Sequence, residues 1–523
     1  MTQIPQNYTH SHPHWHEEHS FQEVLAEQIQ RAPYLIASIF LHAVAAFALA
    51  GILLLKSEEV EAPTIQVVSA PPPPEVEDDP VPPEEKPVEA VVDEPKLLES
   101  DFVDEPTQDP LENVGDPDFT SDSPFDSLST NNAVGIGGNA GGKYGDRGGR
   151  GTRGGTGSPT DAAVMAGLEW LRDHQSPDGM WDCDRFMDED KYNDKPASDG
   201  GGDAINDVGV SGLALLAFLG NGNTTSRGPF HEEVAKGVNW LRGQQDGHTG
   251  LIGEEVGNPT LYNHSIAAMA LGEACVMGKS VTLRRNLRKS SNLILNAQNP
   301  YGAWRYSLDP NNDNDSSITG WMVFALKTAE DAKVPIPSDA YHGAKTWLDN
   351  MTDMSTGRTG YAFGNGGGVG GPPSRVAAYI ERFPPEKSEA LTAVSLLCRI
   401  FMTDTTEVRN WRDHEDYELL KKQADLLASK LPEWDEEGGS CDMYYWYYGT
   451  FAMNQWGGKH WKAWKKAIER ALLKNQHQGK DNFTGSWDPV GPWGKEGGRV
   501  YSTAICTLIL EVYFRYARVL GAR

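Results

Sequence analysis

From about residue 160 the chain alternates between two kinds of apolar spacing. Segments such as AVMAGLEWLRDHQ at 162–174 place apolar residues at three- and four-residue intervals, with Glu169 and Arg172 between them. That is the one-sided stripe of an amphipathic helix. A turn rich in Gly, Pro, Asp and Asn follows, and then a run that is apolar nearly all round, VGVSGLALLAFL after Asp207. A helix apolar on every side is expected inside, and its charged partner outside. The order returns five more times. Segments 234–245, 290–304, 344–351, 419–431 and 461–476 lead to apolar runs beginning at Tyr262, Asp315, 388, Tyr444 and Tyr501. Trp170, Trp240 and Trp347 share one phase of the repeat. Paired helices repeated at this spacing stack on their neighbours. Six pairs whose second helices are the more apolar and expected to be buried favour closure into a ring, so the fold class expected for 160–523 is all-α.

The first third reads differently. Residues 1–32 are polar and carry His10, His12, His14, His16 and His19, as a tail without fixed geometry would. Pro33–Leu55 is an apolar run of 23 residues between Arg31 and Lys56. At ~1.5 Å per residue it matches a hydrocarbon core of ~30 Å, so a single transmembrane helix is expected. Its flanking charges barely decide orientation. His42, ionisable, lies in this run four residues after Ser38, on the same helical face. Residues 56–159 are expected to be a disordered linker, Pro- and acid-rich and then Gly-rich. Between Ser57 and Asn132 there are 22 acidic residues against Lys86 and Lys96, so this stretch supplies -20 of the net -28. The acidity therefore belongs to the linker. The overall acidity still argues against nucleic acid as a partner, since phosphate contacts need clustered Lys and Arg.

Ser38-Ile-Phe-Leu-His42, the tail before it and APPPPEVEDDPVPPEEKPVE at 70–89 resemble the amino terminus of TonB-type energy transducers. The resemblance implies a single-pass inner-membrane anchor, an extracytoplasmic toroid and contact with a proton-driven motor complex. The turns carry a second resemblance. Gln175-Ser-Pro-Asp-Gly179-Met-Trp181 and Gln298-Asn-Pro-Tyr-Gly302-Ala-Trp304 are similar to the QW motif of squalene-hopene and related terpenoid cyclases. Gln476 to Trp487 matches more loosely, and Gln245 to Leu251 lacks the Trp. This implies the α/α toroid of the prenyltransferase and squalene-oxidase repeat superfamily.

In that family the cavity lies at the ring centre, at the amino ends of the inner helices. The residues standing there are Asp207, His264, Asp315, Glu389, Tyr445 and Tyr501. Asp207 and Asp315 equally suit N-caps. A cyclase acid sits in Asp-x-Asp-Asp-Thr, whereas Asp313-Asn-Asp315-Ser316-Ser317 keeps two of the three carboxylates. Prenyltransferase zinc needs converging Asp, Cys and His ligands, and Cys441-Asp442 with His460 and His477 does not reproduce their spacing. No metal and no cofactor is expected. Asp182, Asp184, Asp188, Glu189 and Asp190 read as a solvated acidic loop. Cys275, Cys398 and Cys506 fall in apolar helices as core residues, while Cys183 and Cys441 fall in loops and could pair. The resulting expectation is a membrane-anchored cell-envelope protein whose toroid binds or scaffolds a small-molecule or polymer ligand. Two alternatives stand beside it, a terpenoid- or glycan-active enzyme using cavity acids and a motor-coupled transducer.

Overall fold

The computed structural model describes residues 159–515, except 312, 363–376, 404–411 and 413. The tail, the Pro33–Leu55 run with Ser38 and His42, and the linker up to residue 158 lie outside the described residues. Within them no helix is long and apolar enough to cross a membrane.

Thirteen α-helices are present among the described residues: α1 Pro159–Asp173, α2 Asp207–Gly220, α3 His231–Gly243, α4 Thr260–Gly278, α5 Val281–Asn296, α6 Ser316–Asp331, α7 Ser338–Met351, α8 Ala377–Arg382, α9 Ala390–Met402, α10 Tyr417–Ser429, α11 Met443–Trp456, α12 Gly458–Asn475 and α13 Gly494–Arg515. Backbone bridges occur only singly, and no strand is formed among these residues. In α13 the backbone leaves helical geometry at Gly498, so its inner run starts after that residue.

The packing closes a ring. Helix α2 lies against α4, α4 against α6, α6 against α9, α9 against α11, α11 against α13, and α13 back against α2. The partners α1, α3, α5, α7, α10 and α12 each brace this inner ring from outside. The fold is therefore an all-helical α/α toroid of six pairs. The sequence explains the layering. Every residue of α2 from Gly209 to Gly220 is buried, whereas α5 buries only Leu283, Leu287, Leu293, Ile294 and two serines.

The turns between outer and inner helices repeat one device. Gln175 Nε2 donates to Gly179 O within its own turn and to Glu233 O of α3, both at 3.0 Å. Gln298 Nε2 joins Gly302 O to Ala340 O of α7, and Gln245 Nε2 joins Gly250 O to Asn286 O of α5. Gln476 Nε2 joins Gly485 O to Ala163 O of α1, both at 2.8 Å, which ties the last outer helix to the first. The tryptophan that closes three of these turns is fully buried, and its indole N–H bonds an outer-helix carbonyl: Trp181 to Leu171, Trp304 to Ile294, Trp487 to Leu472. Gly302 has φ +80°, and a Cβ there would lie 2.3 Å from Gly343 Cα. Only glycine allows both that dihedral and that approach.

All five cysteines are buried free thiols. Cys183 and Cys441 do not pair. The Cys183 sulfur instead meets the carbonyls of Glu496 and Gly497 at 3.4 Å, inside the fold rather than in an open loop.

Candidate functional site

A cavity of about 350 Å³ lies at the amino ends of five inner helices. Gly209 and Val210 of α2, Tyr262 and Asn263 of α4, Ser317 and Trp321 of α6, Tyr444 of α11 and Tyr501 of α13 line it. Arg305, Tyr306 and Tyr361 come from turn segments, Trp493 from the approach to α13 and Glu496 from its first turn. The wall is thus dominated by aromatic rings with polar edges. Helix amino ends add positive potential there. Burial pushes the hydroxyls of Tyr262, Tyr361, Tyr444 and Tyr501 well above the ordinary tyrosine range, so all four are neutral.

Two hydrogen-bonded chains run along this wall. In one, Tyr262 Oη donates to Ser317 Oγ at 3.0 Å, and Ser317 Oγ lies 2.9 Å from Tyr444 Oη. In the other, Tyr306 Oη and Tyr361 Oη are 2.5 Å apart, and Tyr361 Oη donates to Asp315 Oδ2 at 3.2 Å. Asp315 is wholly buried, and burial raises its carboxyl to about 6. The N–H of Ile318, the Arg305 guanidinium and the Tyr361 hydroxyl pull the other way without cancelling burial. Arg305 pairs with Asp313, and its guanidinium lies over the rings of Tyr306 and Tyr361.

The six residues expected at the ring centre take different places. Tyr501 lines the cavity. Asp315 stands one layer behind it, reached through Tyr361, and also caps α6 by accepting the Ile318 N–H at 2.8 Å. Asp207 is the first residue of α2 rather than its cap, and it accepts the Cys183 N–H at 2.8 Å. His264 faces away from the cavity. Its Nδ1 accepts the Ile252 N–H at 3.0 Å and its Nε2 lies 3.2 Å from Ser290 O, while burial lowers it to about 4 and keeps it neutral. Its position repeats those of Ser211, Thr319, Thr392 and Thr503, whose hydroxyls take the N–H at the end of the equivalent turns. Glu389 is wholly buried in ion pairs with Arg358 and Lys430. Tyr445 belongs to a separate cleft of about 580 Å³ shared with Ser388, Lys430, Asp442 and Trp446, and its hydroxyl donates to Lys430 O.

The wall residues Tyr306, Tyr361 and Trp493 were not singled out by sequence. The available signal was an aromatic directly after each turn, as in Trp304-Arg-Tyr306 and Gly360-Tyr361.

The acidic loop is less solvated than expected. Asp182 is buried and its Oδ1 accepts the N–H groups of Asp184 and Arg185, while Asp190 bonds the buried His174 and Ser198. Asp182, Asp184 and Asp207 bring carboxylate oxygens within 4.8 Å of one another, the one convergent set of potential metal ligands among the described residues. Burial, and then the neighbouring carboxylates, raise Asp207 to about 6. His460 and His477 pair with Asp425 and Asp488 and do not converge with Cys441 or Asp442.

No protein-family model matches the chain, and no curated protein matches it. Solved structures similar to it include an alpha-amylase from Clostridium perfringens at 12% identity and TM-score 0.40, covering 67% of this chain and 97% of that one. An inactive variant of an alpha-1,6-mannanase of Salegentibacter sp., in complex with alpha-1,6-mannotetrose, is similar at 10% identity and TM-score 0.43, covering 68% and 99%. The type II terpene cyclase MstE from Scytonema is similar at 12% identity and TM-score 0.39, covering 68% and 98%. Likeness at this level carries no argument about activity, and the toroid rests on the helix contacts of this chain.

Proposed function

We propose that the toroid is a glycan- or terpenoid-active enzyme in which Asp315 supplies a proton to a substrate held in the ring-centre cavity. The supporting observation is a buried carboxyl, raised to about 6, joined to an aromatic-walled cavity through Tyr361 and Tyr306. A group poised near the working pH is suited to general acid work. The cavity is of the size and aromatic character that hold one ring-shaped, partly apolar molecule. With Asp315 protonated, its proton passes to Tyr361 as that hydroxyl releases its own, either directly to substrate or to Tyr306, which in turn releases its own hydrogen to substrate. The tyrosines are neutral before and after, the substrate gains one proton, and Asp315 is left as the carboxylate.

The second reading is a binding or scaffolding module, favoured by the fact that Asp315 does not itself line the cavity. Small molecules co-purifying with the full chain identify the ligand by mass spectrometry. Asp315→Asn that retains this ligand but no longer converts it supports the enzyme. Unchanged conversion rules out the acid role.

For the segment ahead of the toroid, the reading that accounts for its composition is a single-pass inner-membrane anchor at Pro33–Leu55. The toroid then lies outside the cytoplasm, and Ser38 and His42 are available to a proton-driven motor complex. A phosphatase active only in the periplasm, fused after Arg523, tests it. A silent phosphatase, with a cytoplasmic reporter active at the same site, overturns it.

A further inference from the structure

We infer that the cavity takes a neutral carbohydrate rather than a hydrocarbon, because its wall carries hydrogen-bond donors that the protein itself leaves without acceptors. This rests on the reading of the ring-centre cavity as the ligand site.

Counting hydrogens makes the argument. Tyr262, Ser317 and Tyr444 hold three hydroxyl hydrogens and are joined by two hydrogen bonds. If Ser317 donates to Tyr444, the Tyr444 hydrogen is left over. If Tyr444 donates to Ser317, the Ser317 hydrogen is left over. Either way this chain has one donor to spare. On the α13 side the Tyr501 hydroxyl and the Trp493 indole nitrogen are buried without a partner. On the opposite side Arg305 Nε is also buried without a hydrogen bond, its nearest carboxylate oxygen being Asp315 Oδ2 at 3.9 Å. Indole and guanidinium nitrogens can only donate. The surplus donors therefore lie on several sides of one cavity, where the Tyr501 hydroxyl can also accept and the Glu496 carboxylate stands in the same wall.

A buried donor without an acceptor is costly, and its cost rises once a ligand excludes water. A hydrocarbon in this space leaves every surplus donor unpaired. A sugar ring presents C–H faces to the tyrosine and tryptophan rings and ether and hydroxyl oxygens at its edges. Arg305 is already matched by Asp313, so the surplus calls for oxygen acceptors rather than for a net negative charge.

The test titrates the full chain with mannotriose, maltotriose and farnesol, read by calorimetry and saturation-transfer NMR. Three variants accompany it. Tyr501→Phe and Ser317→Ala each remove one hydroxyl and no ring. Asn258→Trp fills the cavity mouth from an exposed position and leaves the core intact. The expected result is binding of a saccharide that Asn258→Trp abolishes and that Tyr501→Phe and Ser317→Ala each weaken by about 5- to 10-fold, the loss of one neutral hydrogen bond. Farnesol binding blocked by Asn258→Trp, with no saccharide bound, overturns the carbohydrate inference and leaves the cavity reading standing. Saccharide binding unaffected by both hydroxyl deletions overturns the donor argument. Saccharide binding unaffected by Asn258→Trp places the ligand elsewhere and removes the cavity reading as well. No binding by either saccharide at millimolar concentration overturns the inference.

Discussion

Asp315 uses one carboxylate oxygen to hold the Ile318 N–H at the start of its helix and the other to accept the Tyr361 hydroxyl. A single side chain thus caps an inner helix and anchors the cavity wall. The two duties separate under substitution, because asparagine caps about as well as aspartate but does not titrate.

Asp315→Asn should therefore change the pH dependence of stability more than stability itself. The folded-state value of about 6 lies above the ordinary 3.8. The folded protein holds this proton more tightly, so the contribution is complete below about pH 4 and is lost as pH rises through 6. The wild-type protein should lose melting temperature on this account between about pH 4 and 6. The variant should lack that slope, so variant minus wild type should grow more positive across the window. Thermal denaturation at half-unit pH steps measures this, and parallel curves would remove the titrating role.

His264 is expected to matter for folding and not for ligand binding. His264→Ala strands the Ile252 N–H and the Ser290 carbonyl and leaves a space in the wall, at a cost of about 2–4 kcal/mol. His264→Thr supplies the hydroxyl that the equivalent positions Thr319 and Thr503 use, and should recover part of that loss. Urea unfolding compares the two. Equal destabilisation would mean that the bond to Ile252 is not what the position contributes.

Two glycines of similar dihedral separate strain from crowding. Gly222 has φ +95° and open space where a Cβ would stand, whereas Gly302 has φ +80° and backbone of Gly343 in the way. Gly222→Ala should cost about 1–2 kcal/mol for the left-handed conformation alone. Gly302→Ala should cost clearly more, because Gly343 and α7 must shift as well. Similar unfolding midpoints would show that α7 moves freely.

Gln476 closes the ring between α12 and α1. Gln476→Ala leaves the carbonyls of Ala163 and Gly485 without this donor, for a loss of about 1–3 kcal/mol. Hydrogen exchange should rise first in α1 and α12, the helices on either side of the closure. Uniform acceleration over the toroid would indicate that the ring opens as one unit.

Helix pairing, and which helix of each pair lies inside, are legible in the chain because both depend on local periodicity. The stripe of 162–174 and the unbroken apolar run after Asp207 decide their own burial wherever the ring closes. The Gln–Gly–Trp turns are legible for the same reason, since glutamine, glycine and tryptophan act within a few residues of one another. What the sequence could not decide is the direction each helix-start side chain takes. Successive residues on a helix point about 100° apart. A one-residue difference in where a helix begins therefore moves a side chain from the hole into the wall. His264 and Glu389 stand at the amino ends of inner helices, as expected, yet turn toward neighbouring segments, while Tyr262, Ser317 and Tyr444 turn inward. The cavity also draws Tyr306, Tyr361 and Trp493 from loops whose course is set by contacts tens of residues away. Helix order follows from hydrophobic spacing along the chain, and the site follows from how the six inner helices rotate against one another when the ring closes.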